Sequence, residues 1–198
     1  GELGTRGSGA LRKQESENAR VILGVSVREN LKMADGFFEE NEESLIKVIE
    51  QIRRFKPEMV WCNAIKDRHP DHGRGSYLIS RACFLSGLVK VETSFDGVKQ
   101  EPWRPKVVYH FIQDQYINPD FIVDVSDYWE KKMESILAYS SQFYNPNSDE
   151  PESPISGKEF LMTVEGRARD YGRLIGSEYG EGFTVERSIG VNNMFDLV

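Results

Sequence analysis

The sequence predicts an α/β fold in which a mostly parallel sheet is flanked by helices. Segments with a strand pattern alternate along the chain with segments with a helical pattern, which is the order that builds parallel sheets. One candidate strand, residues 58–63 (EMVWCN), is nearly all apolar, as expected for a strand covered on both faces. The chain has 198 residues, 39% of them hydrophobic, which is enough for one domain with its own core. We therefore expect a single α/β domain over residues 1–198.

The helical segments have recognisable ends. A helix is predicted over residues 8–23, with Ser8 or Gly9 as its cap. A second helix is predicted over residues 42–55, with Asn41 as its cap. Apolar side chains at helical spacing predict further helices over residues 78–88, 126–140 and 156–174.

Shorter segments have strand patterns. Residues 25–31 (VSVRENL) alternate between apolar and polar side chains, which predicts a short strand. The remaining candidates are residues 107–112, residues 121–125 and one short strand within residues 179–198. In parallel sheets, ligands bind at the carboxyl ends of the strands, in the loops that lead into the next helices. This rule directs attention to residues 1–12 and 66–75.

Charge and composition exclude two classes of partner. The 25 basic and 32 acidic side chains give a net charge of -7, and neither sign forms a long block. Nucleic-acid-binding proteins usually carry a basic patch or stripe, and no apolar run reaches the roughly 20 residues that span a bilayer. We expect neither nucleic acid nor a membrane as partner. Cys62 and Cys83 are expected to be buried free thiols of a reducing, cytoplasmic compartment, and Trp61 and Trp103 to lie in the core.

One short segment holds most of the chemically able side chains. Asp67-Arg68-His69-Pro70-Asp71-His72 follows the apolar strand and contains two of the three histidines. A hydrolytic zinc site uses three protein ligands and a water that becomes acidic enough to supply hydroxide. A second, unligated histidine can protonate a leaving amine or stabilise an oxyanion. A polar turn that caps the next helix, with Asp71 as the cap, explains the same spacing, so spacing alone leaves both interpretations open.

The residues around this segment resemble a known family. DRHPDHGRG, the earlier GELGTRGS and LRKQE, and the later AYSSQF are together similar to the PIG-L/LmbE-like zinc N-deacetylases. Within that family the chain most resembles the N-acetylglucosaminyl-malate deacetylases of bacillithiol biosynthesis, also over FKPEMVWCNAIKDRHPDHGRGS, WRPKVVYHFIQD and YGEGFTV. The resemblance implies a Rossmann-like fold and a zinc ion in each subunit. It also implies that metal-activated water removes the N-acetyl group of a small-molecule N-acetylglucosamine conjugate.

The resemblance also implies roles for individual residues. His72 is implied as a metal ligand, His69 as the group that stabilises the oxyanion or acts as general acid, and Asp71 as its support. Arg12 corresponds to an arginine that binds sugar hydroxyls, although without the motif it would be a solvated arginine on an amphipathic helix. Arg6 has the guanidinium chemistry to pair with a substrate anion such as the carboxylates of malate. A loop arginine more often faces water.

One motif of the family has no counterpart in this chain. Family members carry an AHPDD-like motif after their first strand, which supplies a histidine and an aspartate to zinc and a second aspartate as general base. This chain opens instead with a loop-like segment, residues 1–9 (GELGTRGSG). We therefore expect the first strands and two of the three zinc ligands to lie outside this sequence, and the chain alone to have no zinc hydrolase activity.

Other hypotheses remain open at this level. N-acetylglucosamine or a chitooligosaccharide is an alternative substrate for the same chemistry. A catalytically inert binding module is the alternative if the protein is truly this short. A homo-oligomer is expected, and in one form of it the loop of residues 145–154 reaches the site of a neighbouring subunit.

Overall fold

The structure is a computed structural model that describes residues 4–197, which divide into two compact units. The first unit comprises the residues up to Asn30 together with Val123–Glu181. The second comprises Leu31–Ile122 together with the residues from Gly182 onward. The single domain over residues 1–198 stays a prediction. Among the described residues, no helix has both the length and the apolar character that crossing a bilayer requires.

Most helices and strands lie where the sequence predicts them; the exceptions are residues 25–31 and the hairpin of residues 94–99, which was not predicted. The helices are α1 (Gly9–Leu23), α2 (Glu42–Phe55), α3 (Pro70–Leu85), α4 (Trp129–Leu137) and α5 (Lys158–Ile175). The strands are β1 (Met59–Cys62), β2 (Ser94–Phe95), β3 (Val98–Lys99), β4 (Val107–Phe111), β5 (Phe121–Asp124) and β6 (Gly180–Val185). Residues 25–31, predicted as a strand, are not one. Val25 and Val27 are 42% and 50% exposed, so the alternating apolar side chains of this segment do not form a buried face.

Helix α1 of the first unit has the ends that the sequence predicts. The hydroxyl of Ser8 accepts a hydrogen bond from the N–H of Leu11, and Gly24 ends the helix with the left-handed φ of 69° that suits glycine. α1 packs against α4, and a short 3-10 turn at Ser126–Tyr128 precedes α4 where one continuous helix was predicted. The small core of this unit consists of Trp129, Ala168 and Tyr179.

Helices α2 and α3 build the core of the second unit. Asn41 caps α2 as predicted, because its side chain accepts a hydrogen bond from the N–H of Ser44. The apolar faces of the two helices meet in a cluster of Leu45, Ile49, Ile52, Leu78, Ala82 and Cys83. Burial of apolar surface, worth roughly 25 cal/mol per Å², holds α3 in place. It therefore also positions the segment from Asp67 to His72, which leads into α3.

A four-stranded sheet with the order β1-β4-β6-β5 carries the loops that follow its strands. β1 and β4 are parallel, with Cys62 opposite His110, whereas β6 is antiparallel to β4, with Phe183 opposite Phe111. The predicted α/β class with flanking helices is confirmed. The described part of the sheet is mixed, because the strand predicted in the C-terminal tail returns in the opposite direction.

β1 lies at the edge of this sheet, which changes the environment of its side chains. Met59 and Trp61 are 48% and 59% exposed, and no strand among residues 4–197 pairs with the outer edge of β1. The prediction that Trp61 lies in the core is therefore wrong. Trp103 does pack against the core of the second unit, and its Nε1–H donates to the carbonyl of Pro57 at 2.8 Å.

Candidate active site and metal-binding residues

The segment from Asp67 to His72 joins the carboxyl end of β1 to the start of α3. His69 is the N-cap of α3, because its Nδ1 accepts a hydrogen bond of 3.2 Å from the N–H of Asp71. Pro70 is the first helical residue, where its missing N–H leaves no bond unmade. The helix thus begins inside the HPDH motif, and the capping residue is His69, where the sequence suggested Asp71. The ring centroids of His69 and His72 are 5.2 Å apart.

His72 is held by a carboxylate behind its ring. Its Nδ1 lies 2.5 Å from Oδ2 of Asp67. An ionised carboxylate only accepts hydrogen bonds, so Nδ1 carries the ring proton and Nε2 carries the lone pair. Nε2 faces the side-chain amide of Gln113 at 3.4 Å, and the His72 side chain is partly exposed. This arrangement, with an acceptor on one nitrogen and a lone pair on the other, is typical of metal-ligating histidines.

Asp67 ties the loop to the segment that follows β4. Its side chain is fully buried and accepts the backbone N–H groups of Arg68 at 2.8 Å, Asp114 at 3.2 Å and Gln115 at 2.7 Å. Burial acts to raise the pKa of this carboxyl. The hydrogen bonds, from Gln115 first and then His72, outweigh burial and lower the pKa. Asp67 is therefore a charged, rigid acceptor behind His72.

Two carboxylates surround His69. One ligand atom each of Asp35, His69 and Asp71 lies within 4.8 Å of the other two. Asp71 is fixed in turn, since its Oδ2 accepts the N–H of Gly36 at 2.6 Å and its Oδ1 accepts a bond of 2.9 Å from Arg74. Because Nδ1 of His69 is an acceptor, the hydrogen-bond donor of the neutral ring is Nε2.

Of these groups, His72 fits a metal ligand best. Within the described part of the chain, Asp35, His69 and Asp71 form the one cluster of at least three side chains that could share a cation. Both oxygens of Asp71 are already hydrogen-bonded, one of them to the cationic Arg74. These carboxylates therefore fit the support of His69 better than the ligation of a metal ion. Nε2 of His72, which faces the amide of Gln113, has the chemistry of one of the three protein ligands that a catalytic zinc needs. The described residues therefore fit part of a zinc site.

Arg12, the predicted sugar-binding residue, lies on α1 in the first unit. Its guanidinium donates through Nη2 to Oε1 of Gln142. Its Nε is buried and has no hydrogen-bond partner among residues 4–197. A buried N–H left unpaired costs about 1–3 kcal/mol, which favours a ligand or water as the missing partner.

Arg6 is anchored within the first unit by a set of hydrogen bonds. Its Nε donates to the carbonyl of Ser141 at 2.8 Å, its Nη1 to the carbonyl of Pro151 at 3.0 Å, and its Nη2 to the hydroxyl of Ser148 at 2.8 Å. The residue is only 6% exposed, and its hydrogen bonds stabilise the loop of residues 141–151. The expectation of a substrate anion on Arg6 finds no support in these contacts.

His110 is a packed residue of β4. It is 3% exposed, its Nδ1 lies 2.8 Å from the hydroxyl of Ser76 and 3.0 Å from the carbonyl of Asn63, and its Nε2 lies 3.0 Å from Oε1 of Glu186. These bonds connect β1, α3, β4 and the end of β6. They account for a buried histidine without a catalytic role.

Three neighbours of the two histidines are not singled out by the sequence pattern. Asp67 stands inside the segment that the motif singles out, and the spacing of a carboxylate five residues before a histidine was the available signal. Gln113 and Asp35 reach the two histidines from distant parts of the chain. Only the pairing of β1 with β4 brings Gln113 near, and no local pattern encodes that.

A comparison with known families matches residues 1–83 to the PIG-L family, described as GlcNAc-PI de-N-acetylase. The matched part contains every candidate site residue of the sequence analysis, namely Arg6, Arg12, His69, Asp71 and His72.

The chain is also similar to individual proteins. Diacetylchitobiose deacetylase from Thermococcus kodakarensis is 28% identical over 180 residues, which are 87% of this chain and 62% of that protein. The chain therefore spans less than two thirds of that relative. The crystal structure of the conserved protein TT1542 from Thermus thermophilus has a TM-score of 0.83 and 28% identity, over 97% of this chain and 80% of that one. GalB, the 4-carboxy-2-hydroxymuconate hydratase from Pseudomonas putida KT2440, has a TM-score of 0.71 over 93% of this chain and 75% of that one. At 21% identity, that likeness shows the fold alone.

Proposed function

We propose that this chain, which the family match and the deacetylase relative support as a member of the PIG-L/LmbE superfamily, is part of a metal-dependent N-deacetylase. The reaction is hydrolysis of the acetamide of a small N-acetylglucosamine conjugate to acetate and a free amine. The observation that supports the proposal is the hydrogen bond of 2.5 Å between Asp67 and Nδ1 of His72, which puts the lone pair of the ring on Nε2, the atom that would ligate a metal.

His72 and Asp67 of the second unit have different roles in the proposed reaction. His72 would hold zinc through Nε2, while Asp67 keeps the ring in the tautomer that ligation needs. When bound there, zinc would lower the pKa of a water to about 7, so that hydroxide would be available at neutral pH. A catalytic zinc needs two further protein ligands and a general base in addition to His72, so the full-length gene product is the protein to test.

His69 has the geometry of a proton donor. Its Nδ1 accepts the N–H of Asp71, so Nε2–H is the group that can protonate the departing amine or donate to the oxyanion. The contacts of Asp71 with Gly36 and Arg74 fix this orientation. In the first unit, the unpaired Nε of Arg12 is proposed as a donor to a sugar hydroxyl.

The substrate best supported is an N-acetylated chitooligosaccharide. The curated relative from Thermococcus is a diacetylchitobiose deacetylase, and it matches 87% of this chain. N-acetylglucosaminyl-malate is the second candidate and rests on local sequence resemblance. Homo-oligomeric assembly and a cytoplasmic location stay predictions.

The test is zinc content and acetate release of the full-length gene product, with diacetylchitobiose and with N-acetylglucosaminyl-malate as substrates. We expect zinc to be lost and acetate release abolished in His72→Ala, with wild-type turnover faster on diacetylchitobiose. Faster turnover of the malate conjugate would make it the preferred substrate and would leave the proposed deacetylation reaction unchanged. A full-length protein that binds no metal and releases no acetate from either compound would refute the proposed function.

A further inference from the structure

A groove of about 490 Å³ in the second unit gathers positive charge in an acidic chain. It lies between the end of α3, the start of β4 and the residues that follow β6, and its cationic lining residues are Arg81, Arg104, Lys106 and Arg187. Because β1 and β4 are parallel, the start of β4 and the segment that follows β1 lie at opposite ends of the strands. The groove is therefore separate from the loop of His69 and His72.

The arginines of the groove contact carbonyl groups and aromatic rings. None of the three has a carboxylate partner among residues 4–197. Arg104 donates to the carbonyl of Phe84 at 2.9 Å and stacks on the ring of Phe84 at 4.3 Å. Arg187 donates to the carbonyl of Lys106 at 3.3 Å, and Arg81 lies over an aromatic ring. Carbonyl and ring contacts orient a guanidinium group, but they do not neutralise it.

The carboxylate that lines the groove is already engaged. Oε1 of Glu186 lies 3.0 Å from Nε2 of the buried His110, so its acceptor is directed into the protein. Lys106 is paired with Glu58 at 2.7 Å on the exposed rim, where such a pair is worth little. Three arginine charges thus face one concavity in a chain whose net charge is -7.

Apolar side chains also line the groove. Phe84, Leu85, Val107 and Val108 contribute to this lining, and Phe84 is 58% exposed. A groove lined by both guanidinium groups and apolar side chains complements a molecule with both an anionic and an apolar part. Small-molecule sites commonly combine such a lining with a few well-placed polar groups.

We propose that this groove binds an organic anion that carries a phosphate or pyrophosphate group. The phosphate oxygens accept hydrogen bonds from Arg81, Arg104 and Arg187, because the planar guanidinium fork matches phosphate in a bidentate manner. The apolar part of the ligand packs on Phe84 and Val107. A nucleoside diphosphate has this chemistry and serves as the probe.

The test is calorimetric titration of the full-length protein with ADP, pyrophosphate and adenosine at two salt concentrations. We expect ADP to bind, adenosine not to bind, and affinity to fall as salt rises, because phosphate contacts are screened. The double variant Arg81→Ala/Arg104→Ala should weaken ADP binding by about tenfold or more. The control is Arg173→Ala, an exposed arginine of α5, which should bind ADP as the wild type does.

Folding of each variant is checked by its Tm. If the double variant does not fold, the same titration is carried out with Arg187→Ala, because Arg187 is exposed. Absence of ADP and pyrophosphate binding would overturn the proposal. Undiminished binding in the groove variants, or adenosine binding as tightly as ADP, would overturn it as well. None of these outcomes depends on deacetylase activity.

Discussion

Nδ1 of His72 and Oδ2 of Asp67 are 2.5 Å apart, although the Asp67 side chain is fully buried and that of His72 is one quarter exposed. The carboxylate lies in the loop and the histidine in the first turn of α3. Since backbone N–H groups already hold the carboxylate, it imposes one tautomer on the histidine. The lone pair of the histidine is therefore on Nε2, which faces the side-chain amide of Gln113.

Asp67→Asn should weaken zinc binding by the full-length protein about 10–100-fold. Asparagine keeps the size of the side chain but removes the charge that favours a basic Nε2 on His72. The measurement is competition with a chromophoric zinc chelator. Asp170→Asn, at an exposed position of α5, is the matched control. Equal zinc affinity in Asp67→Asn and the wild type would show that the pair is structural only.

His69→Asn should lower kcat by about 10²–10⁴-fold without loss of zinc. Asparagine still caps α3, since its side-chain oxygen can accept the N–H of Asp71, but it removes the proton donor. Steady-state kinetics, zinc analysis and Tm are measured together. Loss of zinc in this variant, with the residual metal-bound fraction fully active, would instead make His69 a ligand.

Arg6→Ala should lower the free energy of unfolding by about 3 kcal/mol, because it leaves two carbonyls and a hydroxyl without their charged donor. Urea denaturation measures the change, with Arg173→Ala as the exposed control. We expect kcat/KM for the two candidate substrates to change by the same factor. A rise in KM confined to the malate conjugate would return Arg6 to the role of carboxylate binder.

Cys62 and Cys83 should resist thiol reagents in the native protein at pH 8. Both are buried, and burial raises the pKa of each thiol to about 12. The ordinary value in an unfolded chain is about 8.5, so the unfolded state loses these protons first as pH rises. Their contribution to stability is complete below that value and is lost as pH climbs towards 12. Labelling with Ellman's reagent, with and without urea, measures the protection, and rapid labelling of the native protein would contradict it.

Local signals predicted the helix ends best. Asn41 and Ser8 cap α2 and α1 where expected, because a cap satisfies backbone N–H groups within three residues of itself. The turn between β2 and β3 went unpredicted although Asp96 and Gly97 form the pair that favours such hairpins, and both have positive φ. The local signal for this hairpin is therefore present in the sequence.

Features that depend on distant neighbours were predicted less well. The apolar run of β1 indicated a strand buried on both faces, but burial depends on which strands lie beside it. The direction of β6 likewise follows from the path of the whole chain. In the candidate site, the two histidines were found from their motif, whereas Gln113 meets His72 only through the parallel pairing of β1 and β4.

The exposure of Trp61 gives the protein an optical reporter at the edge of its sheet. Trp129 is buried against Tyr179 and Trp103 is half-buried, so Trp61 is the fluorophore most in contact with water. Indole emission moves to shorter wavelength when water is replaced by apolar contacts. In a variant that retains Trp61 as its one tryptophan, the emission maximum would therefore record whatever comes to lie along β1, whether another strand or another molecule.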